Sequence, residues 1–185
     1  MTYTDYLLVI SLPDALKKEI SRYKQASVNI IGDFEGMHSM ALITLTHQTR
    51  CKPFWVQPAI TRWEYKLSSV PPVKLHINGF NYLNHGATAK TIYAVVERTP
   101  QTVNWFKLIR QQLGLRINHL VPHITIAQNI PVTAFNSLWP NFRDRQFSET
   151  FMADSITILQ RDTFAEYCEW RVHRELFLAD KLAIF

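Results

Sequence analysis

The hydrophobic pattern of this chain changes period repeatedly, and each change marks a boundary between short elements. Val121-Pro122-His123-Ile124-Thr125-Ile126-Ala127 alternates polar and apolar residues with a period of two, as a half-buried strand does. In that register His123 and Thr125 share one face, and Ile124 and Ile126 share the other. Ala41-Leu42-Ile43-Thr44-Leu45-Thr46 carries the same pattern earlier in the chain. There Leu42 stands at the position of His123, and Thr44 at that of Thr125.

The other elements follow from the same reasoning. Residues 5–12 read as a buried strand, apolar on both faces. Asp14, after Pro13, caps a predicted helix over 15–25 with Leu16, Ile20 and Tyr23 on one face. Ser27 to Ser39 reads as a connecting loop. Val56, Ile60, Trp63 and Leu67 recur at helical spacing, and Pro58 holds the start of that helix to residues 55–57. Val73 to Leu83 predicts a third strand, with Val73, Leu75 and Ile77 inward and Lys74, His76 and Asn78 outward.

The series then starts again. A strand over 91–98 precedes a helix over 101–113 ending at Gly114. The His123 strand, a helix over 131–140 and a strand over 152–160 complete it, and a further strand over 167–178 is open to solvent on one side. Strand, helix, strand, helix, strand therefore occurs twice, over about 5–83 and 91–161. Duplication of this kind predicts that the Leu42 and His123 stretches face each other across a cleft.

Composition narrows the class. Of 185 residues, 47% are apolar and 19% charged, which suits a compact fold and excludes a disordered chain. The net charge of +5 favours anionic partners, RNA and nucleotides among them, although a charge of this size is also ordinary for solubility. Basic residues cluster only at Lys17-Lys18 and Arg143-Asp144-Arg145, so there is no nucleic-acid-binding arm. Cys51 and Cys168 could pair but form no disulfide framework, and no zinc-type spacing occurs. The apolar run Tyr6 to Ile10 is too short for a signal peptide or a membrane span, so a cytoplasmic setting without a membrane partner is expected.

One combination of stretches is more specific. It comprises Tyr6 to Ile10, His38-Ser39 with Ile43-Thr44-Leu45, Ile77-Asn78-Gly79-Phe80, Thr91 to Glu97, His123 to Ala127, and Ile156 to Arg161. Together they resemble the 2H phosphoesterases, a family that includes bacterial 2′-5′ RNA ligase-like proteins and RNA cyclic phosphodiesterases. Family members carry two His-x-Thr/Ser motifs, one per half, on strands lining a cleft. The resemblance implies an α+β fold: two pseudo-symmetric lobes of mostly antiparallel sheet with outer helices around a central cleft. It also implies an RNA end or nucleotide as ligand, with a 2′,3′-cyclic phosphate or 2′-5′ linkage, and neither metal nor cofactor. His123 would be an acid or base, and Thr125 and Thr44 would hold phosphate oxygens.

The first motif is degenerate, because Leu42 carries no exchangeable proton. One acid–base group contributes roughly 10²–10⁴-fold to a rate, so activity is expected to be weak or absent. The alternative is a non-catalytic nucleotide- or RNA-binding protein using the same cleft. Among possible substitutes, His47 falls on the opposite strand face by parity, and His38 lies in the loop before the strand. His76 points outward, either into the cleft or simply into solvent. Arg161 shares parity with Ser155 and Thr157 and would offer a guanidinium to phosphate, unless it is a strand-end surface arginine. Tyr93, with Phe80 and Tyr82, would stack on a base or else pack in the core.

Overall fold

The computed structural model describes residues 3–116, 121–165 and 169–179. Strand β1 (Thr4–Ser11) leads into helix α1 (Asp14–Ile31), β2 (Leu42–Cys51), α2 (Pro53–Leu67) and β3 (Val73–His85). Next come β4 (Ala89–Val96), α3 (Pro100–Gln112) and β5 (His123–Pro131). The chain continues through α4 (Val132–Leu138), α5 (Pro140–Arg143), β6 (Ser148–Ala153), β7 (Ser155–Asp162) and β8 (Arg171–Phe177). The strands form one eight-stranded sheet in the order β6-β3-β4-β5-β2-β1-β7-β8, antiparallel throughout.

That order divides the sheet into two lobes of α+β type, β2-β1-β7-β8 and β5-β4-β3-β6. Strand β3 pairs with β4, and β7 returns to pair with β1, so the chain crosses between lobes and ties them together. The lobes meet where β2 and β5 run side by side, in register at Ile43 and Ile124 alone. These strands were expected to face each other across a cleft. They are instead central neighbours in one sheet, because both isoleucines, fully buried, turn to the same helix-covered side. Leu8, Ile10, Ile60, Leu75, Ile92 and Ile109 fill the core between that side and the helices.

Several boundaries differ from the sequence expectation, each for a local reason. Helix α1 runs to Ile31 and takes in part of the predicted loop, ending at Gly32 with a left-handed φ of 77°. Its second half was hidden because it buries the polar residues Lys24 and Ser27, which interrupt the apolar stripe. Asp14 is the first residue of that helix and not its cap, a position held by Pro13. Helix α2 starts at Pro53 and carries Pro58 internally, where the missing N–H forgoes the helical hydrogen bond to the carbonyl of the exposed Phe54. Pro140 splits the predicted 131–140 helix into α4 and α5.

The predicted 152–160 strand is two strands, because its halves have different partners. Residues up to Ala153 pair with β3, and those from Ser155 pair with β1. The last strand begins at Arg171, and the predicted start at Tyr167 lies outside the described residues, as does Cys168 and hence its pairing with Cys51. No helix among the described residues is long and apolar enough to cross a membrane.

Candidate active site

The site starts from two bulges. On β2, Thr44 pairs with Val9 and Thr46 with Leu8, so Leu45 is an extra residue. On β5, Thr125 pairs with Tyr93 and Ala127 with Ile92, so Ile126 is extra at the corresponding point. Each strand is thus kinked immediately after its threonine, and each opens away from its neighbour there. The freed carbonyl of Leu45 accepts a 3.1 Å hydrogen bond from Nη1 of Arg110, a buried residue of α3 whose Nε and Nη2 also donate to the Arg116 carbonyl.

Antiparallel pairing at Ile43 and Ile124 fixes what lies on the other face. Residues one step on along β2 oppose residues one step back along β5. His123 therefore stands beside Thr44, and Thr125 beside Leu42. All four line one cavity of about 160 Å³, together with Leu7, Ser39, Met40, Gln128, Leu159 and Trp170.

His123 is anchored through one ring nitrogen. Its Nδ1 lies 2.7 Å from the Val121 carbonyl. A carbonyl oxygen only accepts, so Nδ1 carries a proton, and in the neutral ring Nε2 has the lone pair. The Tyr93 ring packs against the imidazole at 4.9 Å between centroids. Burial raises the Tyr93 phenol above its ordinary pKa, so it is neutral at physiological pH.

The rim beside Leu42 is held by another buried cation. Lys24 donates from Nζ to the carbonyls of Gly36 (3.1 Å) and Ser39 (2.9 Å) and to the Ser39 hydroxyl (2.8 Å). It is 3% exposed, and burial lowers its pKa to about 8. Gly36 has a φ of +78°, and a Cβ there would come within 3.4 Å of Gln128 Oε1, so the loop sits close against β5.

A family model described as the 2′-5′ RNA ligase superfamily matches residues 13–163. The chain belongs to this superfamily, the 2H phosphoesterases. TT0787 of Thermus thermophilus shares the fold with a TM-score of 0.65 at 13% identity, over 96% of this chain and 99% of that one. Escherichia coli LigT complexed with 3′-AMP gives a TM-score of 0.67 at 11% identity, over 96% and 99%. LigT complexed with phosphate gives 0.66 at 10%, over 97% and 100%. A comparison with curated protein sequences finds no match.

Not every residue singled out in this superfamily member reaches the cavity. His76 is absent from its lining; it lies on β3, beyond β4 from β5, so two strand spacings or roughly 10 Å separate it from His123. Arg161 donates from Nε and Nη2 to Asp5 Oδ2 at 3.2 and 3.1 Å and lines a different cavity, with Gln160, Glu169 and Arg171. Tyr93 is 5% exposed, so it walls the imidazole and offers no open face for stacking. Phe80 and Tyr82 pack towards the helices, on Tyr23 and Phe135 respectively.

His47 differs from its expected position. The bulge at Leu45 reverses the parity, so His47 pairs with Leu7 on the cleft side and its ring meets Trp170 at 5.4 Å. It remains outside the lining, about 13 Å along the strand from Leu42. His38 is exposed and also outside it.

Sequence reasoning missed Trp170, Gln128, Leu7 and Leu159. Trp170 arrives from the segment before β8, with its ring 4.5 Å from the Arg161 guanidinium, and no local pattern marks it. Gln128 precedes Asn129, whose φ of 50° was foreshadowed only by asparagine's tolerance of that conformation. Leu7 was legible in part, since β1 reads as apolar on both faces. Among the described residues no group of three or more His, Cys, Asp and Glu is arranged to hold a metal ion.

Proposed function

We propose that this chain binds the phosphate of an RNA end or nucleotide, a 2′,3′-cyclic phosphate or a 2′-5′ linkage, in the cavity between β2 and β5. The observation that carries this reading is the register that gathers Thr44, His123, Thr125 and Leu42 on one face. The two hydroxyls donate to non-bridging phosphate oxygens, and the imidazole Nε2 exchanges a proton with the reacting oxygen. Membership of the superfamily supports it, as do the structures of LigT with 3′-AMP and with phosphate, which share the fold.

The same cavity argues for weak turnover. Opening a cyclic phosphate forms a bond from water to phosphorus and breaks one from phosphorus to a ribose oxygen. A base must take the proton from water while an acid protonates the leaving oxygen, and one imidazole cannot do both in a single step. Leu42 supplies neither. Its apolar neighbours Leu7 and Leu159 favour a second reading, in which the cleft binds nucleotides without turning them over.

Hydrolysis of a 2′,3′-cyclic nucleotide by the wild type and by His123→Ala tests both. Slow turnover that disappears in His123→Ala supports the catalytic reading. Absent turnover, with nucleotide binding weakened by Thr125→Ala, supports the binding one. Turnover unchanged in His123→Ala overturns the role of His123.

A further inference from the structure

A second and larger cavity, of about 480 Å³, lies between the end of β2 and the first turns of α2. Its described lining shares no residue with that of the His123 cavity. Tyr3, Trp55 and Trp63 give it aromatic walls, Arg50 and Lys52 give it two positive charges, and no acidic residue is among its described lining. Trp55 leaves 69% of its surface open, and the exposed Phe54 packs against it at 4.9 Å between centroids. Open tryptophan at this level runs against the tendency of large apolar rings to be covered.

Arg50 is set into this groove at a cost. It has a φ of 54°, a left-handed conformation that disfavours a residue with a Cβ. The conformation is secured from behind. The Arg50 amide donates to Oδ1 of the buried Asp5 at 2.9 Å, and that carboxylate also accepts from Thr163 and Arg161. Thr49 and Arg50 together oppose Asp5, a bulge of the kind that ordinarily places glycine at its left-handed position. Here an arginine stands there, its guanidinium 6.0 Å from the ring centroid of Phe164, itself exposed. Phe164 also meets Tyr3 edge-on at 6.1 Å, so aromatic rings and the two cations adjoin at this end of the groove.

We propose that this groove is a second binding site, for single-stranded nucleic acid, in which Trp55 stacks on a base and Arg50 and Lys52 pair with flanking phosphates. Exposed rings and cations sharing one groove match such a strand, because every base has a face to stack and every linkage a negative charge. A protein partner would also use the rings and the arginine, but two cations with no acidic residue in the described lining favour a repeating anion over a mixed-charge protein surface. Size adds to the match, as a cavity of about 480 Å³ has room for a base. The site lies about 16 Å along β2 from Thr44, so it neither requires nor competes with the cleft reading.

The test is fluorescence anisotropy of a labelled short RNA ending in plain hydroxyls, titrated with the full chain at several salt concentrations. Trp55→Ala is expected to weaken binding about tenfold, the loss of one stacked base. Arg50→Gly and Lys52→Ala are each expected to lower the logarithmic salt slope by about 0.7, one phosphate contact apiece. Glycine suits the left-handed backbone, so Arg50→Gly should melt no lower than the wild type while binding less well, which separates recognition from folding. RNA binding that survives both Trp55→Ala and Arg50→Gly, or that is lost in His123→Ala instead, overturns the proposal.

Discussion

Strands β2 and β5 are built alike and equipped differently. Both are central, both bulge immediately after a threonine, and they meet at Ile43 and Ile124. At the cleft, β5 presents an imidazole fixed by the Val121 carbonyl and walled by Tyr93, whereas β2 presents Leu42. Their supports differ too. Strand β2 is held by buried charge: Asp5 at the Arg50 amide, Arg110 at the Leu45 carbonyl, and Lys24 at the loop that leads into it. Strand β5 is held by a neutral group, the Thr91 hydroxyl, which accepts from the Asn129 amide at 2.9 Å. The difference teaches that two strands can share register and bulges while presenting different chemical groups. Register and bulges are set on the buried face, so the cleft-facing side chain is free to change.

The largest test of this comparison is to restore the symmetry. The Met40 carbonyl precedes Leu42 by the same two residues by which Val121 precedes His123, so Leu42→His has a ready partner for Nδ1. Cyclic-nucleotide turnover is expected to rise by roughly 10²–10⁴-fold over the wild type. No rise would mean that the equivalence of the two strands stops at the backbone.

Next in size is the difference in support. Asp5 is 4% exposed and accepts four hydrogen bonds, so Asp5→Asn should cost on the order of 2 kcal/mol in urea unfolding. Thr91→Val should cost about half as much, since neutral hydrogen bonds contribute less. Only the β2 support is acid-labile. Burial alone would raise the Asp5 carboxyl, but hydrogen bonds from the Arg50 amide, Thr163 and Arg161 outweigh it and leave the pKa lowered. Its contribution is complete above the unfolded value of about 4 and fades as pH falls through the lower folded one. The stability gap between wild type and Asp5→Asn should accordingly close in acid.

Smaller again is the contrast between the two threonines. Thr44→Ala and Thr125→Ala should each weaken phosphate binding about tenfold by calorimetry, one charge-assisted hydrogen bond apiece. Register adds a distinction: Thr44 and His123 are neighbours, so their double variant should depart from additivity. Thr125 and His123 share the phosphate but are not cross-strand neighbours, so their coupling should be the smaller of the two, and a larger one would contradict the pairing at Ile43 and Ile124.

The smallest effect is expected at Lys24, whose pKa of about 8 lies below its ordinary 10.5. Between these values the unfolded chain holds a proton that the folded one has released, so stability should rise with pH. The wild type should gain on Lys24→Met by about 1 kcal/mol from pH 8 to 9. A flat difference would mean that the ammonium stays charged on its three oxygen acceptors.

The sequence by itself determined the types of element and the faces of the cleft strands. Period-two alternation puts His123 and Thr125 on one side because successive residues of a strand point to opposite faces, a property of the local backbone. It also singled out Leu42 as the position where the two stretches differ at the cleft, since Ile43-Thr44 and Ile124-Thr125 match beside it. The structure decided everything that depends on a partner far along the chain. It broke the 152–160 strand at Asp154, where pairing passes from β3 to β1, and it turned His47 to the cleft side through the bulge at Leu45. It matched Arg161 with Asp5 and brought Trp170 over the cavity. Above all it crossed the two motifs, so that His123 neighbours Thr44 and Leu42 neighbours Thr125. Antiparallel pairing reverses one strand against the other, and no periodicity along a single strand carries that information.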